Sequence, residues 1–208
     1  MLELKNIALK YNDKWLLKNF NLKVYNNESI ALTGVSGGGK SSIFNMILGF
    51  YKQDVGEIYF NDVLLNSHNC NKFRKEIAYL PQNYNIIDSG TVYESIMKPF
   101  YFENNKNIQI SKDLILNEFD KLNLDRNIID NPFNSASGGE KQRIALIITK
   151  LLNRKIILLD EPTSALDKEN KILAANYIFD LNQQCLITIT HDQEWIDLCT
   201  KQVELKNE

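Results

Sequence analysis

The sequence predicts an α/β fold organised on a parallel sheet. Three observations carry that expectation. Strand-length apolar runs alternate with helical patterns along most of the chain. Ile156-Ile157-Leu158-Leu159 is a continuous apolar run between Lys155 and Asp160, as expected of a strand buried on both faces. A glycine-rich turn from Gly34 to Gly39 stands between a strand pattern and a helical one.

Taken in order, Leu2, Leu4, Ile7 and Leu9, then Leu22, Val24, Ile30 and Leu32, read as strands of a half-buried sheet. After the glycine turn, Ile43, Phe44, Ile47 and Leu48 recur at helical spacing. Gly56–Phe60 and Ile77–Leu80 read as strands, the second stopped by Pro81. From Thr91 to Leu122 the pattern is helical, broken by a solvated Asn- and Lys-rich loop at Glu103–Asn107. A loop at Asn131–Ala136 leads to a helix from about Gly139 to Leu152. Lys168–Leu181 is helical, Leu186–Thr190 a strand and Gln193–Cys199 a short helix. The segment from about Pro81 to Asn153 thus reads as a helical insertion between core strands. Trp15 and Trp195 are expected to pack, and His68 and Cys70 to lie in a polar surface loop rather than bind metal.

Composition narrows the class. The 208 residues, 44% hydrophobic and 24% charged, suit one domain with a core that needs no disulfide framework. Cys70, Cys185 and Cys199 are odd in number and far apart, which points to a reducing compartment. The start, Met1 to Lys5, is not a signal peptide, and no apolar run approaches the ~20 residues of a membrane-spanning helix. A net charge of -2 gives no bulk attraction to nucleic acid.

Gly34-Val35-Ser36-Gly37-Gly38-Gly39-Lys40-Ser41 fits G-x-x-x-x-G-K-[ST], between a strand at Ser29–Thr33 and a helix at Ser41–Leu48. Glycines let backbone amides curl around phosphate oxygens, and a helix start adds the positive end of a dipole. Lys40 places a charge at the β- and γ-phosphates. Ser41 is placed to ligate Mg²⁺, and Ser42 to donate to a nearer phosphate. A nucleoside triphosphate is the expected ligand.

Ile156–Leu159 ends in Asp160 and Glu161. A buried parallel strand delivers its last residues to the carboxyl edge of the sheet, where ligands bind. Asp160 is placed to hold Mg²⁺, and Glu161 to take a proton from the attacking water. Ser137-Gly138-Gly139 at a helix start makes a second anion-binding tip. Ser164-Ala165-Leu166-Asp167 follows soon after, and Thr190-His191-Asp192 closes the next strand, where the imidazole can touch a γ-phosphate.

Together these residues resemble the ATP-binding subunit of ABC transporters over essentially the whole chain. The ordered motifs are Gly34–Ser41 (Walker A), Gln82 in Tyr79-Leu80-Pro81-Gln82 (Q-loop), Ser137–Glu140 (signature), Ile156–Glu161 (Walker B), Ser164–Asp167 (D-loop) and His191 (H-loop). Tyr11 resembles the aromatic that stacks on adenine. Two signature positions depart from Leu-Ser-Gly-Gly-Gln: Ala136 replaces Leu, and Glu140 replaces Gln.

The resemblance implies a P-loop NTPase core with an N-terminal antiparallel β-subdomain and an inserted α-helical subdomain at about 83–153, within one domain over 1–208. It implies ATP and Mg²⁺, the latter held by Ser41, Gln82 and Asp160. It implies a head-to-tail dimer, a homodimer or a heterodimer, with two ATP molecules each between one Walker A and the partner's Ser137, Gly138 and Gly139. Gln82 then senses the γ-phosphate, Asp167 organises the seam, and His191 clamps the γ-phosphate and orients Glu161. A separate transmembrane permease is the implied partner, which places the chain on the cytoplasmic face of the cell membrane. Tyr84, Ile86 and Ile87 fit either a docking groove for that permease or packing on the helical insertion.

Two other functions compete. A small-molecule kinase fits the length, but such enzymes usually clamp charge with several Arg, and Arg74, Arg126, Arg143 and Arg154 are scattered. A non-transport module that signals through nucleotide-driven dimerisation fits the same motifs. The short chain and Thr91–Ile96 after Gln82 are most similar to small export-type subunits, such as the iron or metal exporter and lipoprotein-release groups.

Overall fold

The alternation at the N-terminus folds as two long antiparallel strands, β1 (Leu2–Tyr11) and β2 (Lys14–Val24). Leu2, Leu4 and Ile7 of β1 and Leu17, Leu22 and Val24 of β2 are buried, while polar neighbours face out. Asn12 and Asp13 between them have φ of 48° and 61°, the two-residue hairpin geometry that short polar side chains tolerate. The computed structural model describes residues 1–83, 90–180 and 184–205. Tyr84, Ile86 and Ile87 lie outside the described residues.

The chain divides into two units, one of residues 1–78, 154–160 and 181–208, the other of residues 79–153 and 161–180. The first contains β1, β2, β3 (Ser29–Gly34), α1 (Lys40–Ile47), β4 (Val55–Phe60), β5 (Val63–Leu64) and α2 (Cys70–Arg74). The chain leaves it within β6 (Ile77–Leu80) and returns for β7 (Ile156–Asp160), β8 (Cys185–Ile189), α7 (Gln193–Leu198) and β9 (Lys201–Leu205). Among the described residues two sheets form, an antiparallel one in the order β2-β1-β4-β5 and another in the order β6-β7-β8-β3-β9. In the second, β7 pairs with β8, β8 with β3, and β3 with β9, all parallel. Every residue of β7 and of β8 is buried, which explains the apolar run Ile156–Leu159 and the apolar Cys185, Leu186, Ile187 and Ile189 around Thr188.

The second unit holds the helices α3 (Val92–Met97), α4 (Lys112–Lys121), α5 (Gly138–Leu151) and α6 (Lys168–Phe179). Thr91, Ser111, Ser137 and Asp167 cap their starts, each side chain accepting a backbone N–H of the first turn. In the middle of this unit the Tyr177 hydroxyl donates to Glu118 Oε2 at 2.6 Å, joining α6 to α4.

Several expectations are corrected. The helical pattern from Thr91 to Leu122 is α3, a 3₁₀ turn at Lys98–Tyr101 and α4, because Pro99 and the following loop interrupt it. That loop is not uniformly solvated: Asn105 is buried and its amide donates to Pro99 O at 2.7 Å. Trp15 is 40% exposed beneath the Lys10 ammonium, whereas Trp195 is buried as expected. Cys70 begins α2 rather than lying in a loop, while His68 precedes it exposed. No helix among the described residues is long and apolar enough to cross a membrane.

Candidate active site

In the first unit the glycine loop leaves β3 beside β9. Gly34 has φ of 132°, and a Cβ there would lie 2.5 Å from the Leu205 carbonyl oxygen, so only glycine fits. Gly38 N–H donates to Val35 O at 3.1 Å, closing the loop on itself. Val35, Ser36 and Gly37 form its exposed tip, and Gly37, with φ of 77°, has open space where a Cβ would stand. Gly39, with φ of 89°, starts α1 close against Leu16 and Leu17 of β2. Unlike α3 to α7, α1 begins with no side-chain cap and no acidic residue in its first turn. Its first-turn amides carry no side-chain cap, and with the positive end of the helix dipole they make a donor site suited to phosphate.

Lys40 is buried, and its ammonium donates to Gly34 O at 2.7 Å and Val35 O at 2.9 Å. The next residue, Ser41, donates from Oγ to Asp160 Oδ2 at 3.4 Å, while Ser42 follows half-buried on α1. Burial raises the Asp160 carboxyl above its ordinary value, and the Ser41 hydroxyl and the Lys40 charge oppose that rise. A hydroxyl beside a carboxylate is a hard oxygen pair, and it suits Mg²⁺. Because β7, β8 and β3 are parallel neighbours, Asp160, His191 and Gly34 all leave the same edge of the sheet. His191 is exposed there. Tyr11, at the end of β1, is 70% exposed and pairs in register with Lys14.

In the second unit Gln82 is exposed two residues beyond β6. Ser137 starts α5 in a capping box: its Oγ accepts from Glu140 N–H at 3.2 Å, and Glu140 Oε2 accepts from Ser137 N–H at 2.7 Å. These bonds hold the Glu140 carboxyl below its usual range. Glu in place of Gln therefore keeps the reciprocal cap and adds a negative charge at the tip. A Cβ on Gly139 would lie 3.2 Å from Ala165 O, so the helix start packs on the loop that ends at Asp167. Asp167 caps α6 and accepts from Asn170 N–H and from the Asn170 amide, which hold its carboxyl below the usual range. Glu161 is in the left-handed region at φ of 48°. Of the ten non-glycine residues with positive φ among those described, the other nine are Asn or Asp. A Glu held there stores strain, as functional residues often do.

Three residues of this unit escaped sequence reasoning. Gln142 is buried and donates from Nε2 to Pro162 O at 2.9 Å, steadying the turn after Glu161. Arg143 and Asn170 link α5 to α6. The one sequence signal was the i, i+4 spacing of Gly139 and Arg143 on a helix, which puts the guanidinium near the Gly139 carbonyl.

Residues 17–164 match the ABC transporter family. The chain is 33% identical over 214 residues to the methionine import ATP-binding protein MetN of Clostridium acetobutylicum, covering 99% of this chain and 65% of that protein. It is 30% identical over 216 residues to the probable ABC transporter ATP-binding protein p29 of Mycoplasma pneumoniae, covering 97% of this chain and 86% of the other. It is 32% identical to the spermidine/putrescine import ATP-binding protein PotA of Borreliella afzelii, covering all of this chain and 60% of that one. The chain thus spans less than two thirds of the two importers' lengths. Among solved structures, the dimeric bacterial ABC transporter cassette MJ0796 matches with a TM-score of 0.85 at 27% identity, covering 99% of this chain and 94% of that one. The same cassette as a post-hydrolysis dimer bound to ADP and Pi matches with a TM-score of 0.84 at the same identity and coverage. The family match covers most of the chain, and the likeness to p29 runs nearly end to end in both proteins: the chain belongs to the ABC transporter family.

Proposed function

We propose that this chain is an ATP-binding subunit that hydrolyses ATP as half of a dimer and couples that cycle to substrate movement by separate membrane subunits. The observation that carries the reading is the pair of anchors at one sheet edge. Lys40 is pinned to the loop carbonyls, and Ser41 is bonded to the buried Asp160. The likeness to importer subunits and to dimeric cassettes supports it.

On this reading the amides of Gly34, Ser36, Gly37, Gly38 and Gly39 and the start of α1 hold the phosphates, with Lys40 and Ser42 adding donors. Tyr11 stacks on the adenine. Ser41, Asp160 and Gln82 would hold Mg²⁺. When bound, that ion supplies positive charge against the charge that develops on the phosphate oxygens. Glu161 accepts a proton from the attacking water, and His191 orients it and contacts the γ-phosphate. Ser137, Gly138 and Gly139 bind the γ-phosphate of the ATP held by a second copy, and Asp167 lies along the seam. The chain sits on the inner face of the cell membrane, held there by its membrane partner.

The test uses Glu161→Gln. With ATP and Mg²⁺ present, sizing should show a trapped dimer with turnover reduced by about 10²-fold or more. A chain that stays monomeric with ATP bound overturns the shared-site reading.

A further inference from the structure

The start of α5 and the Asp167 loop are tied together by side chains to which no role has been given. Arg143 Nε donates to Gly139 O at 3.3 Å, at the tip itself. Its Nη1 donates to Leu122 O at 3.0 Å and Asn123 O at 2.9 Å, just past α4. The same nitrogen donates to Asn170 Oδ1 at 3.1 Å. The Asn170 amide is used at both ends, because its Nδ2 donates to Asp167 Oδ2 at 2.8 Å. A chain of hydrogen bonds therefore runs from Gly139 through Arg143 and Asn170 to Asp167.

We propose that Arg143 and Asn170 are positioning residues that lock the Ser137–Gly139 tip to Asp167, so that both meet a second copy of this chain as one piece. This rests on the dimer reading above. The geometry favours a strut over two independent helix caps. Asp167 already caps α6 through Asn170 N–H, so the cap does not need the Asn170 side chain. That side chain turns its oxygen to Arg143 and its amide to Asp167, which a cap alone would not require. The contact beneath it, where a Cβ on Gly139 would lie a tight 3.2 Å from Ala165 O, holds the same two segments together by packing. A planar guanidinium can serve Gly139, Asn170 and the Leu122 and Asn123 carbonyls at once, whereas a lysine ammonium in its place lacks that fork.

The measurement is ATP-driven dimerisation of the full chain in the Glu161→Gln background, with ATP affinity of the monomer and melting temperature followed in parallel. Asn170→Leu keeps a good helix former in the first turn of α6 and removes both side-chain bonds. It should weaken the dimer about fivefold or more while monomer ATP affinity and melting temperature hold. Arg143→Lys should weaken dimerisation likewise, and the double variant should be little worse than either single one, since both break the same strut. Asn170→Asp, which keeps an acceptor for Arg143 but sets a charge against Asp167, should not rescue it. Unchanged dimerisation of Asn170→Leu, or additive losses in the double variant, overturns the strut. A Glu161→Gln chain that never dimerises overturns the dimer reading itself, and the strut with it.

Discussion

The Ser41 hydroxyl lies 3.4 Å from Asp160 Oδ2 across 119 positions of sequence, bonding the first turn of α1 to the last residue of β7. Burial disfavours the charged form of Asp160, so its folded carboxyl titrates above the ordinary value of 3.8. The protonated form is then the better folded one. The stability that Asp160 contributes is full below about pH 4 and declines as pH rises through its folded value. Asp160→Asn should therefore melt higher than the native chain at pH 7 without ligand, and the difference should vanish on titration toward pH 3. Turnover should fall by about 10²-fold or more, because Asn supplies no charge for Mg²⁺. Thermal melts across pH, run beside an ATPase assay, check both parts.

Gly34 and Gly37 separate folding from phosphate binding. A Cβ at Gly34 would collide with the Leu205 carbonyl at 2.5 Å, so Gly34→Ala should destabilise the fold by about 2 kcal/mol or more in denaturant titration. Gly37 has open space at that position, so Gly37→Ala should cost only the left-handed penalty of about 1 kcal/mol. Its nucleotide affinity by calorimetry should nevertheless drop, because the strained residue sits among the loop amides proposed to hold the phosphates.

Glu161 pays a backbone cost that its neighbours in the turn do not. Glycine adopts φ of 48° freely, so Glu161→Gly should be about 1 kcal/mol more stable than Glu161→Ala in denaturant melts, although both lose turnover. Equal stability of the two would mean that the left-handed geometry is not a strain at this position.

What could be read from the sequence follows from where each segment is buried. β7 and β8 lie inside a parallel sheet, and their short, mostly apolar, β-branched sequences are what burial on both faces selects. The phosphate loop was legible because its glycines answer to local φ values. β9 was missed because Lys201, Gln202 and Glu204 surround Val203, leaving too little apolar signal on a strand at the sheet edge. The Arg143 links were illegible for another reason. Leu122, Asn123 and Asn170 stand 20 to 27 positions from it, and no local pattern connects such partners.

The register of β9 against β3 also fixes an order of events. β3 is flanked on one side by β8 and on the other by β9, with Gly34 set against Leu205. A growing polypeptide carries the whole glycine loop well before β8 and β9, the two strands that brace it, have been synthesised. The capacity to grip a triphosphate is thus acquired only once β9 has emerged, and a ribosome that stalls before that point releases a chain that cannot yet grip its fuel.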